Sequence, residues 1–310
     1  MKQRAQVELQ AEHSGHLDSV YTLAQSRAPG HFLSAGADGI VAEWDAHTLQ
    51  STRALLRANR AIYALQLVAH KGWLLVGQND GGLHILDVPE QRLLKSVQIH
   101  RDAIFDLQAV PGGRTFLSAS RDGNIGLWRI EDLECVLTAK VARESLRSVV
   151  LNPDGELLAV GSSDNKVRIY QAENLQKIRE LNDFTNSVFR CVFSPDGRWL
   201  LAVGRDAHLR VYDTEDDFAL AVDVVAHHFA INDLVYRPDG NYFATASMDK
   251  TIKLWDAESF RLLKVLDYRR NNAHQSSVNR LLWLEEPDCL VSVSDDNRVL
   301  QWKIDFYVRI

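Results

Sequence analysis

The stretch Thr245–Asp256, TASMDKTIKLWD, decides how the whole chain is read. Phe243, Thr245 and Ser247 alternate with smaller residues, Asp249 and Lys250 supply a turn, and Ile252, Leu254 and the Trp255–Asp256 pair fill a returning strand, so the segment predicts a β-hairpin. A lone hairpin of this size is marginal in water and needs further strands and a surface to pack on. The rest of the sequence supplies them as copies. Counted from the turn aspartate, Asp38, Asp80, Asp122, Asp164, Asp206, Asp249 and Asp296 stand 42, 42, 42, 42, 43 and 47 residues apart. Six residues after each comes a large closing residue: Trp44, Leu86, Trp128, Tyr170, Tyr212, Trp255 and Trp302. Twenty-two residues before each comes His16, Ala58, His100, Ala142, Phe184, His227 or His274, followed four residues later by an aliphatic: Val20, Ile62, Ile104, Leu146, Val188, Ile231 or Val278. This register holds through seven units.

The pattern resembles the WD repeat, in which a His, a Ser or Thr, an Asp and a terminal Trp-Asp recur at a period of about 40 to 45 residues. A single WD dipeptide is a weak signal; seven units in fixed register, covering nearly all of the chain, are a strong one. The resemblance implies an all-β fold, a seven-bladed β-propeller with four antiparallel strands per blade. Length alone, at 310 residues, would suggest two domains. Repeats bury their faces only against their neighbours, and no linker or low-complexity tract interrupts them, so residues 1–310 are expected to form a single propeller.

Composition narrows the function classes. A hydrophobic fraction of 46% with 25% charged residues is that of an ordinary globular protein, and a net charge of -6 argues against a general binder of nucleic acid or anionic membranes. The N-terminal MKQRAQVELQAEH lacks the apolar core of a signal peptide and no run of 18 apolar residues occurs, so a cytoplasmic location without membrane partners is expected. Cys135, Cys191 and Cys289 stand at no metal-ligand spacing and are read as reduced, mostly buried thiols.

Residues Ala5–Ala11 alternate like a strand yet belong to no complete unit, while the last unit ends near Trp302 with KIDFYVRI remaining. In many members of the family the N-terminal strand becomes the outermost strand of the last blade and closes the ring, and that is the arrangement expected here; the alternative is that KIDFYVRI fills that place. Asn152–Gly155, Ser194–Gly197 and Arg237–Gly240 each read X-Pro-Asp-Gly and are expected to turn between the first two strands of blades four, five and six. The one real insertion, around residues 267–275, carries Arg269, Arg270, Asn271 and Asn272, and the resemblance implies that it projects on the face of the channel mouth.

His16, Ser34 and Asp38 imitate a catalytic triad. The same triple recurs as His100, Ser118, Asp122, as His227, Thr245, Asp249 and as His274, Ser292, Asp296, each completed by a tryptophan: Trp44, Trp128, Trp255 or Trp302. Four copies of one active site are implausible. An indole N–H donates only, a hydroxyl both accepts and donates, a neutral imidazole does both and a carboxylate accepts, so the four types make a closed hydrogen-bond relay. Blades two, four and five lose His, hydroxyl and Trp together, as a half-satisfied buried network would cost more than an apolar core. Their aspartates are expected to serve the turn alone. The adjacent His227 and His228 would point to opposite faces of a strand, which disfavours a metal site.

With no phosphate, metal or nucleotide motif, no catalytic residue or cofactor is identified, and function is assigned to the surface. In the family the residue after the unit's aliphatic faces the channel mouth; here these are Tyr21, Tyr63, Phe105, Arg147, Phe189, Asn232 and Asn279. Asp106 and Asp233 stand beside them, and Arg121, Arg205 and Met248 precede turn aspartates on the same face. Aromatics, Met and Arg are favoured at interface cores. The expected function is a non-enzymatic scaffold, monomeric on its own, that grips a protein or peptide at this rim and presents its aromatic faces to an incoming Arg or Lys. Three other readings stay open: aromatics that only plug the channel, a small-molecule binder or enzyme using it, and nucleic-acid binding through Arg147, Arg205, Arg269 and Arg270.

Overall fold

The computed structural model describes residues 2–110 and 112–309, which form seven four-stranded antiparallel sheets. Blade one, for example, runs from the innermost strand Val20–Gln25 through His31–Gly36 and Ile40–Asp45 to the outermost strand Gln50–Arg57. Blades two to six repeat this order along the chain. Blade seven departs from it. Its outermost strand is the N-terminal Lys2–His13, paired antiparallel with the last strand, Val299–Arg309. Lys303–Arg309 therefore extends the third strand of blade seven and lies in one sheet with the N-terminal strand, Ile310 falling outside the described residues. The closing strand is also longer than the seven residues that alternate in sequence.

The faces of each sheet bury against the next. Val20, Phe32 and Trp44 of blade one pack with Val291, Val293 and Val299 of blade seven, while Leu75, Leu83 and Ile85 of blade two meet Ile104, Phe116 and Trp128 of blade three. These side chains are inaccessible or nearly so, and each buried aliphatic or aromatic contributes about 1.5–3 kcal/mol relative to an exposed one. The three X-Pro-Asp-Gly turns join the first two strands of blades four, five and six, with Gly155, Gly197 and Gly240 at φ of 78°, 78° and 75°. Those values suit glycine, which has no Cβ to clash.

The insertion after blade six forms a single helical turn, α1 (Tyr268–Asn271), capped by the Asp267 side chain accepting from the Arg270 amide. It lines one depression with Val7 and Leu9 of the closing strand and another with Asp249, Lys250 and Thr251 of the blade-six turn. Arg298 anchors it by donating to the carbonyls of Asn272 and Ala273.

Candidate functional site: the channel mouth and the groups beneath it

The seven rim residues share a backbone feature that alternation in the sequence does not reveal. Between the first two strands of every blade the pairing register skips the rim residue, so Tyr21, Tyr63, Phe105, Arg147, Phe189, Asn232 and Asn279 each occupy a β-bulge. A bulge bends the strand and re-aims side chains next to it. Repeated around the ring, it presents two successive positions of each innermost strand to the channel region.

Four of the rim positions form an arc over blades one to four. The rings of Tyr21 and Tyr63 lie 4.9 Å apart and those of Tyr63 and Phe105 5.5 Å apart. The guanidinium of Arg147 then stands 4.2 Å from the Phe105 ring and 5.3 Å from the Phe189 ring. All five side chains are half-buried, so the rings neither vanish into a plug nor stand free. The position assigned in sequence to a partner's cation is filled by the chain's own Arg147. Burial, and then the like charges of Arg121 and Arg205, hold the Arg147 guanidinium below its ordinary pKa. Arg121 and Arg205 are thus near enough for their charges to act on Arg147. Asp102 pairs with Arg121 at 3.6 Å, and Met248, 51% exposed, adds an apolar edge on the same face.

The remaining rim residues hold blades together. Asn232 donates through its amide to Ser277 Oγ and to the Val278 carbonyl of the next blade, and Asn279 donates to the Val20 carbonyl across the ring closure. They are committed donors and are less available to a partner.

Beneath the rim, Asp106 and Asp233, which the sequence places beside the rim residues, are buried, 3% and 1% exposed. Arg190 pairs with Asp106 at 2.9 Å and with Asp233 at 3.2 Å, and Arg280 approaches the same two carboxylates at 3.5 and 3.7 Å. Burial opposes the Arg190 charge, but the two carboxylates outweigh it and raise its pKa. Each aspartate also accepts a backbone N–H of the following blade, Val149 for Asp106 and Leu281 for Asp233. Ser148 does the same for Cys191. Four charges from blades three, five, six and seven thus neutralise one another in the channel. Arg190 and Arg280 were missed in the sequence. Their signal was position: both stand two residues after the unit's aliphatic, as do Asp106 and Asp233.

The hydrogen-bond relays have the geometry their residue types require. In blade one Trp44 Nε1 donates to Ser34 Oγ at 2.7 Å, Ser34 meets His16 Nε2 at 2.7 Å, and His16 Nδ1 meets Asp38 at 2.9 Å. The same chain joins Trp128, Ser118, His100 and Asp122, then Trp255, Thr245, His227 and Asp249, then Trp302, Ser292, His274 and Asp296. Each aspartate also accepts the amide of the residue after the histidine: Leu17, Arg101, His228 and Gln275. Every hydroxyl is fully buried and engaged at both ends, a poor setting for a nucleophile.

Blades four and five do not become apolar where the relay is missing. Opposite the lost hydroxyl the third strand carries Arg168, which bonds Asp164 at 2.6 Å, and Arg210, which bonds Asp206 at 2.8 Å and lies 4.3 Å from the Phe184 ring. An ion pair from the neighbouring strand replaces the imidazole, so these aspartates do more than close a turn. In blade two His84 takes the equivalent place and bonds Gln78 at 2.8 Å.

Sequence comparisons point the same way as the architecture. The profile of the WD domain, G-beta repeat, matches residues 7–45, 91–129, 175–213, 221–256 and 264–303, and that of the anaphase-promoting complex subunit 4 WD40 domain matches 118–192. The unmatched segments of the first profile hold the inner three strands of blades two and four, which lack the relay. Similar curated proteins include Protein tipD of Dictyostelium discoideum, 35% identical over 68 residues, 22% of this chain and 11% of that protein. Protein HIR1 of Candida albicans is 32% identical over 76 residues, 24% of this chain and 8% of that protein. The human WD repeat and SOCS box-containing protein 1 is 31% identical over 90 residues, 28% of this chain and 20% of that protein. These alignments span a fifth or less of each relative's length.

Proposed function

The chain belongs to the WD-repeat family, and on that premise we propose that it is a non-enzymatic scaffold whose channel mouth holds an acidic segment of a partner protein. The observation that carries this reading is the occupancy of the Phe105 and Phe189 faces by Arg147, with Arg121 and Arg205 beside it. A partner's Lys or Arg would find that place taken and meet like charge; a carboxylate-bearing segment finds three guanidiniums, which suit planar oxygen acids, and aromatic edges for its apolar residues. Complementary charge would fix register and speed encounter more than it would add affinity.

Two rival readings lose ground on the same geometry. Small-molecule chemistry in the channel calls for free convergent polar groups, whereas the described carboxylates and guanidiniums of the channel pair with one another. Nucleic-acid binding calls for one continuous basic patch, whereas Arg147 and Arg205 stand at the mouth and Arg269 and Arg270 beside the closing strand. The test is capture from source extract with wild type beside Arg121→Glu, Arg205→Glu, reading bound proteins by mass spectrometry. Loss of a partner whose contacting segment is acidic supports the proposal; retention of every partner, or loss of one whose segment is basic, refutes it.

A further inference from the structure

A cleft lies on the opposite face of the ring. The rim residues stand at the start of the innermost strands, and the turns that leave those strands stand at the other end, about 20 Å away for six residues of strand. Between blades five and six the turns at Ser194–Arg198 and Asp239–Asn241 and the corner at Asp256–Glu258 enclose a cleft of about 420 Å³. Trp199, Tyr236 and Tyr242 form its aromatic walls.

Its charge is one-sided. Asp196, Asp239, Asp256 and Glu258 line it with one cation, Arg198. Arg198 lies 4.8 Å from the Trp199 ring and approaches Asp213 at 3.6 Å and Glu215 at 3.9 Å, and Asp239 is paired with Arg237 at 2.6 Å. Asp196, Asp256 and Glu258 have no cation within 4.0 Å among the described residues. Asp196 bonds only the Ser194 hydroxyl and the Arg198 amide, and Asp256 only the amide and hydroxyl of Ser259.

One group in the cleft has no partner at all. Tyr236 is 8% exposed, its hydroxyl is fully buried, and no described protein group hydrogen-bonds it. A buried hydroxyl left unmet costs about 1–3 kcal/mol, and native proteins carry few such groups except where function retains them. Burial, and then the Asp196 charge, keep this phenol neutral by raising its pKa. Burial together with the carboxylates of Asp256 and Asp239 does the same at Tyr242. A neutral phenol oxygen can accept an N–H.

We infer that this cleft is a binding site for a Lys or Arg side chain presented by a basic segment of a partner, the cation donating to the Tyr236 hydroxyl and to Asp196 and Glu258. The carboxylates without a cation attract the charge, and the buried hydroxyl gives its N–H an acceptor. The site stands apart from the mouth in place and in sign of charge, so one ring would bridge an acidic partner above and a basic one below.

The test titrates the full chain with N-acetyl-tetralysine amide, following affinity by calorimetry and the Trp199 indole signal by NMR. The comparison peptide is the same one acetylated at its side-chain ammonium groups. Saturable binding of the charged peptide that moves Trp199 is expected, with weakening of about tenfold or more in Asp196→Asn, Glu258→Gln. Tyr236→Phe keeps the ring that packs 5.6 Å from Phe243; it should weaken binding about tenfold while melting no lower than wild type. The exposed pair Glu131→Gln, Glu173→Gln should leave binding unchanged. Absence of saturable binding overturns the inference. Equal weakening in the control pair, which would show nonspecific charge attraction, also does so. So does a clearly lower melting temperature for Tyr236→Phe, which would mean that its hydroxyl is satisfied within the fold.

Discussion

Replacing His100 with alanine tests whether the relays hold the blades as their geometry implies. The imidazole is 2% exposed and bridges Ser118 at 2.8 Å and Asp122 at 3.2 Å. Asp122 loses little, because it keeps the amides of Arg101 and Asn124, both at 3.0 Å. Ser118 loses more: it is fully buried and its proton has no other acceptor, a cost of about 1–3 kcal/mol. The emptied imidazole volume adds about 1–2 kcal/mol at roughly 24 cal/mol per Å³. The sum, about 2–5 kcal/mol, corresponds to a melting point lower by about 3–7 °C in a chain of this length. The stronger test is the triple change His100→Ala, Ser118→Val, Trp128→Leu, which copies the Ala58, Val76 and Leu86 of blade two. Removing all the partners together strands none of them, so the triple variant should be destabilised by about 2 kcal/mol or more less than the sum of its singles. Circular dichroism during urea and thermal unfolding gives both numbers. A His100→Ala melting point within about 1 °C of wild type, or strict additivity in the triple, would refute the relay as a cooperative network.

Further predictions follow from the same bonds. Burial holds the His100 and His227 imidazoles below their ordinary 6.5; the unfolded chain therefore binds the proton first, and stability complete above pH 6.5 falls as the pH drops below it. Asp296 behaves separately. Burial opposes its charge, but bonds from His274 and two amides hold it at about 2, so its contribution is present above 3.8 and lost as the pH falls toward 2. Melting curves from pH 8 to pH 2 should show both windows, and a flat profile from pH 7 to pH 5 would contradict the first. Arg190→Ala should cost about 3–5 kcal/mol in urea unfolding because Asp106 and Asp233 stay buried with only Arg280; a change below 1 kcal/mol would show that the channel pairs are idle. Deleting residues 2–13 strips blade seven of its outermost strand and bares the edge of Val299–Arg309, so the protein should aggregate during size-exclusion chromatography. A sharp monodisperse peak with unchanged melting would oppose that.

What the sequence revealed and what it hid have separate causes. The blades were legible because a hairpin period repeated seven times writes its own register, and the four relays because one hydrogen-bond pattern recurs with its spacing intact. The closing strand was legible as a leftover without a unit. The channel pairs of Arg190 and Arg280 with Asp106 and Asp233 were hidden because they join residues up to 174 positions apart, from 106 to 280, whose proximity only ring closure creates. The bulges at the rim were hidden because the skip falls at the second residue of each innermost strand, where too few positions precede it to show the break in alternation. Arg168 and Arg210 looked like ordinary alternating strand residues; only the pairing register sets them opposite Val160 and Ala202, where the hydroxyl is missing. At the rim, sequence position does not show that Arg147 folds between Phe105 and Phe189.

The most direct measurement of the central claim is amide hydrogen exchange on the captured complex, compared with the free chain. Binding at the mouth predicts slowed exchange at residues 104–107, 121–123, 146–149, 188–190 and 204–206, diminished when the salt concentration is raised. Protection confined to the outer strands, with those amides unchanged, would contradict it.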